Sequence, residues 1–117
     1  MATKPLSGPH AELAPGRIAA IMDTSDLATL LRDLRRRQAR QRGDAELTYR
    51  ALAARTGWST GILTGYFTGR ILPPTDRFDT LVALLDATPA EQGALATARD
   101  RVQELRRRAA PAGRPGR

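Results

Sequence analysis

The sequence contains no cysteine and a single histidine, His10. Without cysteine, the chain can form no disulfide bond and can present no thiolate to a metal ion or a substrate. His10 lies among proline and glycine residues near the N-terminus, where we expect a solvent-exposed side chain rather than a ligand or a catalytic base. The other residues show no pairing of a nucleophile with a base and no cluster of metal ligands. We therefore expect that the protein is not an enzyme and holds neither a metal nor a cofactor.

Long apolar runs are missing as well. No stretch approaches the ~18 apolar residues that a membrane span requires. The N-terminal segment also lacks the apolar centre of a secretory signal. These absences predict a cytoplasmic protein without a membrane partner.

Aromatic residues are scarce, at 4% of the chain, although 41% of its residues are hydrophobic. A core built mainly from leucine, alanine and valine favours packed helices over sheets, in which aromatic residues are enriched. The net charge is +7, and every basic residue except Lys4 is arginine. So large a positive charge on a small chain favours a polyanionic partner, nucleic acid before an acidic membrane surface.

Proline and glycine are concentrated near both ends of the chain. Residues 1–24 are expected to form a flexible arm, in which the helical spacing of Ile18, Ile21 and Met22 allows a short extra helical turn over 17–22. Residues 109–117 predict a disordered basic tail. The sequence between them, residues 25–108, is expected to form one domain.

Helical signals follow one another through this domain. Leucines at 27, 30, 31 and 34 have the spacing of a buried helical stripe, and Gly43 is a plausible end of that helix. A fourth helix is predicted after Thr75, which we expect to be its N-cap. The run Thr88-Pro89-Ala90-Glu91 predicts a capping box at the start of a fifth helix.

The second and third helices are short and lie close together in the sequence. Thr48 is a predicted N-cap for a helix over 49–56 that ends at Gly57. Ser59 is a second N-cap, for a helix over 60–68 that ends at Gly69. Two short helices joined by a tight turn with glycine form a helix-turn-helix unit, here over residues 48–69.

The run Leu52–Gly69, LAARTGWSTGILTGYFTG, resembles the helix-turn-helix of XRE/Cro-type (lambda-repressor-like) regulators, and residues 77–85 resemble the fourth helix of that family. The resemblance implies an all-α, five-helix DNA-binding domain that places helix 60–68 in the major groove of double-stranded DNA. By position, it implies base-facing residues Thr60, Gly61, Ile62, Thr64 and Gly65. It implies phosphate contacts from Thr48, Tyr49, Arg50, Thr68, Arg70 and Arg77. It also implies a homodimeric, nucleoid-associated regulator of transcription.

The sequence departs from the family pattern on the helix expected to contact bases. Gly61 and Gly65 carry no side chain, and residues 59–69 contain none of the Arg, Lys, Asn or Gln side chains that form bidentate contacts with G or A. We therefore expect weak sequence discrimination. Phe67 stands where relatives often carry a glutamate paired with an arginine of the first helix, and we predict that it packs in the core or at an interface.

Two features permit more than one interpretation. The arginines over 35–42 suit a phosphate-binding arm and, equally, the solvated face of an amphipathic helix. Gly61 and Gly65, one helical turn apart, would let DNA approach closely, but they would also let another helix pack closely. The alternative function is therefore a protein–protein adaptor, such as an antitoxin or an accessory subunit of a DNA-processing complex. Trp58 and Tyr66 are expected in the core.

Overall fold

The computed structural model describes residues 13–110, and within this range the chain forms six helices and no strand. The helices are α1 (Pro15–Ala19), α2 (Thr24–Arg42), α3 (Tyr49–Thr56), α4 (Thr60–Thr68), α5 (Thr75–Leu84) and α6 (Pro89–Ala109). The predicted all-α fold is confirmed, with the five predicted helices present as α2 to α6. His10, with the rest of residues 1–12 of the predicted arm, and residues 111–117 of the predicted tail lie outside the described residues.

The expected extra turn is present as α1, but it begins at Pro15 rather than at residue 17. Proline fits the first position of a helix because its fixed φ is helical and its missing N–H would have no partner there. Ile18 and Ile21 are buried as their spacing suggested, whereas Met22 is 51% exposed. The guanidinium of Arg101 on α6 donates hydrogen bonds to the carbonyls of both isoleucines, at 2.9 and 3.0 Å. These bonds hold α1 against α6.

The helix starts and ends follow local chemistry. The side-chain oxygens of Thr48, Ser59 and Thr88 each accept a hydrogen bond from a first-turn N–H, at 3.0 to 3.1 Å. The Thr88 N–H in turn donates to the Glu91 carboxylate, so the predicted capping box is confirmed. The three glycines that end α2, α3 and α4 all have positive φ, a conformation that residues with a Cβ disfavour.

The N-cap of α5 is not Thr75, as the sequence suggested, but Pro74. Pro74 has the extended backbone of an N-cap residue, with φ −60° and ψ 158°, and Thr75 is already the first helical residue. No side chain caps this helix by hydrogen bonding. The helix starts one residue before the expected position because the Pro74 carbonyl accepts the N–H of Phe78, at 2.8 Å.

The core lies between α2, α4, α5 and α6, and it is mainly aliphatic. Its largest fully buried side chains are those of Phe67, Phe78, Ile21, Leu27, Leu31, Leu34, Leu52, Leu63, Leu81, Leu85, Leu95 and Gln38. Helix α4 packs against both α2 and α3, and α5 packs against α6. Within residues 13–110, no helix is both long enough and apolar enough to cross a membrane.

Candidate nucleic-acid interface

Helix α4 is divided into a buried side and an accessible side. Leu63, Tyr66 and Phe67 are buried in the core, as predicted for Tyr66 and Phe67. On the other side, Thr60, Gly61 and Thr68 are exposed and Thr64 is half-buried. We call these last four residues the threonine face. Packing by the buried side leaves this face directed away from the core and accessible to a partner.

Two of the three hydroxyls of the threonine face are turned toward the helix itself. The Thr64 hydroxyl donates to the carbonyl of Thr60 at 2.9 Å, and the Thr68 hydroxyl donates to the carbonyl of Thr64 at 2.7 Å. Such bonds to the preceding turn are common for threonine within helices. Each hydroxyl has a single proton, so these two oxygens offer a partner lone pairs but no hydrogen to donate.

Gly65 does not lie on the threonine face, contrary to the expectation that it faces bases. It is buried, and a Cβ at this position would come within 2.8 Å of Cγ1 of Ile71. The chain turns back after Gly69, and the N–H groups of Arg70 and Ile71 both donate to the Gly65 carbonyl, at 3.0 and 3.1 Å. This turn lays the Ile71 side chain over Gly65, so a Cβ at position 65 would have to displace that side chain.

The other two expected base-facing positions differ in their accessibility. Gly61 is exposed, and only the Ser59 hydroxyl, at 3.9 Å, lies near the place that a Cβ would occupy. Ile62 is half-buried and packs against the core. Among the predicted base-facing residues, one accessible face therefore contains Thr60, Gly61 and Thr64. Ile62 lies at the margin of this face, and Gly65 is covered by Ile71.

The start of α3 carries the first group of predicted phosphate contacts. The Thr48 side chain is occupied as the helix cap, and Arg50 is exposed. Tyr49 is half-buried, with its ring 5.1 Å from that of Phe67 and the guanidinium of Arg35 4.9 Å from its centroid. Tyr49 thus joins α3 to α4 and α2, while Arg50 is the side chain that remains accessible.

The second group of predicted phosphate contacts follows α4. Arg70 is exposed, and its Nε lies 3.5 Å from the Thr68 hydroxyl oxygen. Gly69 closes the helix with φ 84°, and a Cβ on it would lie 3.0 Å from Cα of Ser25 and 3.1 Å from the carbonyl oxygen of Thr24. The end of α4 is therefore packed directly on the start of α2, which fixes the position of Arg70.

Arg77, also predicted to contact phosphate, packs on aromatic rings. Its guanidinium lies 4.8 Å from the centroid of the Trp58 ring, and Nη1 lies 3.4 Å from the Tyr66 hydroxyl. Trp58 is half-buried against the core, and its ring meets that of Tyr66 edge-on at 6.2 Å. In this structure Arg77 therefore stabilises the packing of α5 on the helix-turn-helix unit.

The arginines over 35–42 fit the interpretation as a solvated face only in part, because Arg36, Arg40 and Arg42 are exposed while the other two pack against the fold. Arg35 donates to the carbonyl of Leu47 at 2.6 Å, and its guanidinium also lies 5.7 Å from the Phe67 centroid. Arg37 is buried and pairs with both carboxylate oxygens of Glu91 at 2.8 Å. Most of this cluster therefore ties α2 to the rest of the fold instead of forming a phosphate arm or a purely solvated face.

These tertiary roles were missed because they join residues far apart in the sequence. Arg32, which donates to the Phe67 carbonyl at 2.6 Å, is 35 residues away from its partner. The sequence carried one usable signal, namely that Phe67 replaces the glutamate of related proteins. Arg35 lies on α2. The Phe67 ring gives it a cation–π contact in place of the ion pair that a glutamate at position 67 would form.

Glu91 is the most strongly perturbed acid among the described residues. Burial raises its pKa, but the hydrogen bonds from Arg37 and from the N–H groups of Leu13 and Thr88 outweigh burial and lower the pKa to about 2. The carboxylate is thus held ionised at the junction of α2, α6 and the segment before α1. This arrangement serves the fold and lies outside the threonine face.

The sequence was also compared with known proteins. Residues 26–95, more than half of the chain, match the model of a protein family described as a helix-turn-helix domain. No curated protein and no solved structure matches the chain. The matched range includes all of α3 and α4, and families of this kind bind DNA through the second helix of the pair. The chain belongs to the helix-turn-helix domain family.

Proposed function

We propose that the protein binds double-stranded DNA, inserts α4 into the major groove and regulates transcription. The observation that carries this proposal is the orientation of α4 within a helix-turn-helix domain. Its apolar side is buried by Leu63, Tyr66 and Phe67, so the threonine face is the side left for a ligand. In helix-turn-helix proteins this is the side that meets base edges.

Contacts with the DNA backbone are expected to supply most of the affinity. Arg50 begins α3 and Arg70 follows α4; both are exposed, and neither forms an ion pair with another described residue. Exposed cations beside a groove-binding helix contact phosphates, which position a protein without specifying sequence. We include the N-terminal amides of α3, after Thr48, in this backbone contact. Arg77 and Tyr49 have smaller expected roles because both pack against aromatic rings.

Base discrimination is expected to be modest, because α4 lacks the long polar side chains that form bidentate base contacts. A homodimer would compensate, since two copies bound to half-sites about one helical turn apart double the number of contacts. The adaptor alternative rested on Gly61 and Gly65 forming a smooth pair on one face. Because Ile71 covers Gly65, that pair is not available, and we favour DNA as the partner.

A salt-series titration tests the proposal. The intact protein is titrated with two duplexes, one of random sequence and one taken from the neighbourhood of its own gene. We expect both to bind, with a linear fall in log affinity against log salt concentration, and with a small preference for the native duplex. Absence of binding to both duplexes at low salt would refute the proposal and would favour the adaptor.

A pair of variants locates the backbone contact. Arg70→Ala is expected to weaken binding to both duplexes by the same factor and to lower the salt slope by about 1, the change expected for one lost phosphate contact. Arg42→Ala removes the same charge from an exposed guanidinium that is paired with Asp86, and we expect it to change the affinity much less. Equal effects of the two substitutions would show that the affinity for DNA depends on net charge alone and not on the position of Arg70.

A further inference from the structure

The accessible side of α4 has little capacity to donate hydrogen bonds. The hydroxyl protons of Thr64 and Thr68 are used within the helix, and Gly61 has no side chain. Tyr66 is buried, with its hydroxyl beside Arg77. The Thr60 hydroxyl is therefore the one that remains on this side of α4 as a possible donor. Guanine presents two acceptors, N7 and O6, to the major groove, so a face with few donors is poorly suited to select it.

The same side of α4 is rich in methyl groups. Because the Thr64 and Thr68 oxygens are held against the helix backbone, their γ-methyl groups occupy other staggered positions, away from the carbonyls to which the oxygens bond. Next to this face, the Ile71 side chain covers Gly65 and is itself 37% exposed. Methyl groups therefore form part of the surface proposed to meet the groove, beside hydroxyl oxygens that can only accept hydrogen bonds.

We infer that Thr64 determines specificity by placing its γ-methyl group against the 5-methyl group of thymine. This inference rests on the proposed DNA-binding function. Thymine is the only standard base that carries an apolar group in the major groove, and threonine methyls are suitable partners for it. The Thr64 oxygen keeps lone pairs that can accept from the N6 amino group of a neighbouring adenine. The preferred duplex is thus rich in A·T pairs and is selected through the major groove.

Removing the thymine methyl tests this inference directly. Alternating poly(dA-dT) and poly(dA-dU) differ only by that methyl group, so binding of the intact protein to each is measured at one salt concentration. We expect about fourfold weaker binding to the uracil polymer, the loss that corresponds to one buried methyl group. A random duplex pool made with 5-methylcytosine should bind more tightly than the same pool made with cytosine, because the added methyl lies at the equivalent place in the groove.

Two conservative variants assign the effect to Thr64. Thr64→Val keeps a methyl group at the same place and lacks the hydroxyl, so it should retain the preference for thymine over uracil. Thr64→Ser keeps the hydroxyl and lacks the methyl, so its ratio of affinities for the two polymers should fall to about one. Both substitutions are small changes at a half-buried helix position, and circular dichroism checks that the helix content is unchanged.

The outcomes separate this inference from the function on which it rests. Equal binding of the wild type to the thymine and uracil polymers overturns the inference but leaves DNA binding intact. A preference that survives in Thr64→Ser, or that is lost in Thr64→Val, shows that the Thr64 methyl is not the discriminating group and also overturns it. Failure to bind either polymer or any random duplex at low salt refutes the proposed function itself.

Discussion

The junction between α2 and α6 and the helix-turn-helix pair α3–α4 are stabilised in different ways. At the junction, Arg37 and Glu91 form a buried ion pair across 54 residues of sequence, at 2.8 Å to each carboxylate oxygen. The α3–α4 pair relies on its caps at Thr48 and Ser59, on glycine turns and on the tilted contact between the rings of Tyr49 and Phe67. The charged junction depends on long-range pairing, whereas the helix pair is largely specified by short-range signals.

This contrast shows that the net charge of the protein overstates the charge available to a polyanionic partner. Arg35, Arg37 and Arg42 on α2 are all engaged with acidic groups or carbonyls of the fold. The accessible charge near α4 comes instead from a few separate residues such as Arg50 and Arg70. A basic composition in a small helical protein therefore has to be divided into arginines that hold the fold and arginines that are left for a partner.

The largest expected effect comes from breaking the charged junction. Arg37→Ala leaves the Glu91 carboxylate buried without its main partner, and we expect a loss of about 4 kcal/mol in the free energy of unfolding. The measurement is urea unfolding at neutral pH. Arg42→Ala on the same helix removes an exposed pair with Asp86, for which we expect a loss of less than about 1 kcal/mol. Similar losses in the two variants would contradict the distinction between buried and exposed arginines.

The next effect concerns the turn that ends α4. Gly69→Ala places a Cβ at φ 84° and only 3.0 Å from Cα of Ser25, so it combines backbone strain with a clash against backbone that cannot easily move. We expect a loss of roughly 3 kcal/mol in unfolding free energy. Gly57→Ala is the matched control, since its φ of 80° is similar but nothing lies within 4 Å of the new Cβ. For Gly57→Ala we expect a loss of about 1 kcal/mol in unfolding free energy. Equal melting temperatures of the two variants would rule out a close contact between the end of α4 and the start of α2.

The smallest effect is a dependence on pH that originates at the junction. The pKa of Glu91 is about 2 in the folded chain, below its ordinary value of 4.5, so folding favours the ionised form. Its stabilising contribution is complete at neutral pH and is lost as the pH falls from the ordinary value toward 2. Between pH 7 and pH 4 we expect a loss of about 1 kcal/mol from this group. Thermal unfolding of Glu91→Gln should lack this component, and parallel pH profiles for the two proteins would disprove the assignment.

The features that could be predicted from the sequence are those that depend on neighbouring residues. The caps at Thr48, Ser59 and Thr88 bond to N–H groups three residues away, and the glycines at 43, 57 and 69 each end a helix. These contacts need no knowledge of the tertiary fold. The exception is α5, whose N-cap is Pro74 instead of the expected Thr75.

The candidate site was only partly predictable, because exposure depends on how distant segments pack. The family resemblance placed Thr60, Gly61 and Thr64 on one face, and in the structure all three are at least partly accessible. Periodicity alone could not show that Ile71, six residues after Gly65, would fold back over it. The same limitation applies to Arg77, whose contact with Trp58 requires α5 to lie beside the turn between α3 and α4.

The way Ile71 closes over Gly65 has a consequence for any attempt to alter the proposed binding face. A library that randomised every position from 60 to 69 would contain many disfavoured variants, because a side chain at 65 has to displace that of Ile71 and one at 69 meets backbone at the start of α2. Diversity is tolerated at positions 60, 61 and 64, where space is open or the side chain is partly accessible. On the proposed mode of binding, substitutions at these three positions form a small set of variants that can be enumerated in full.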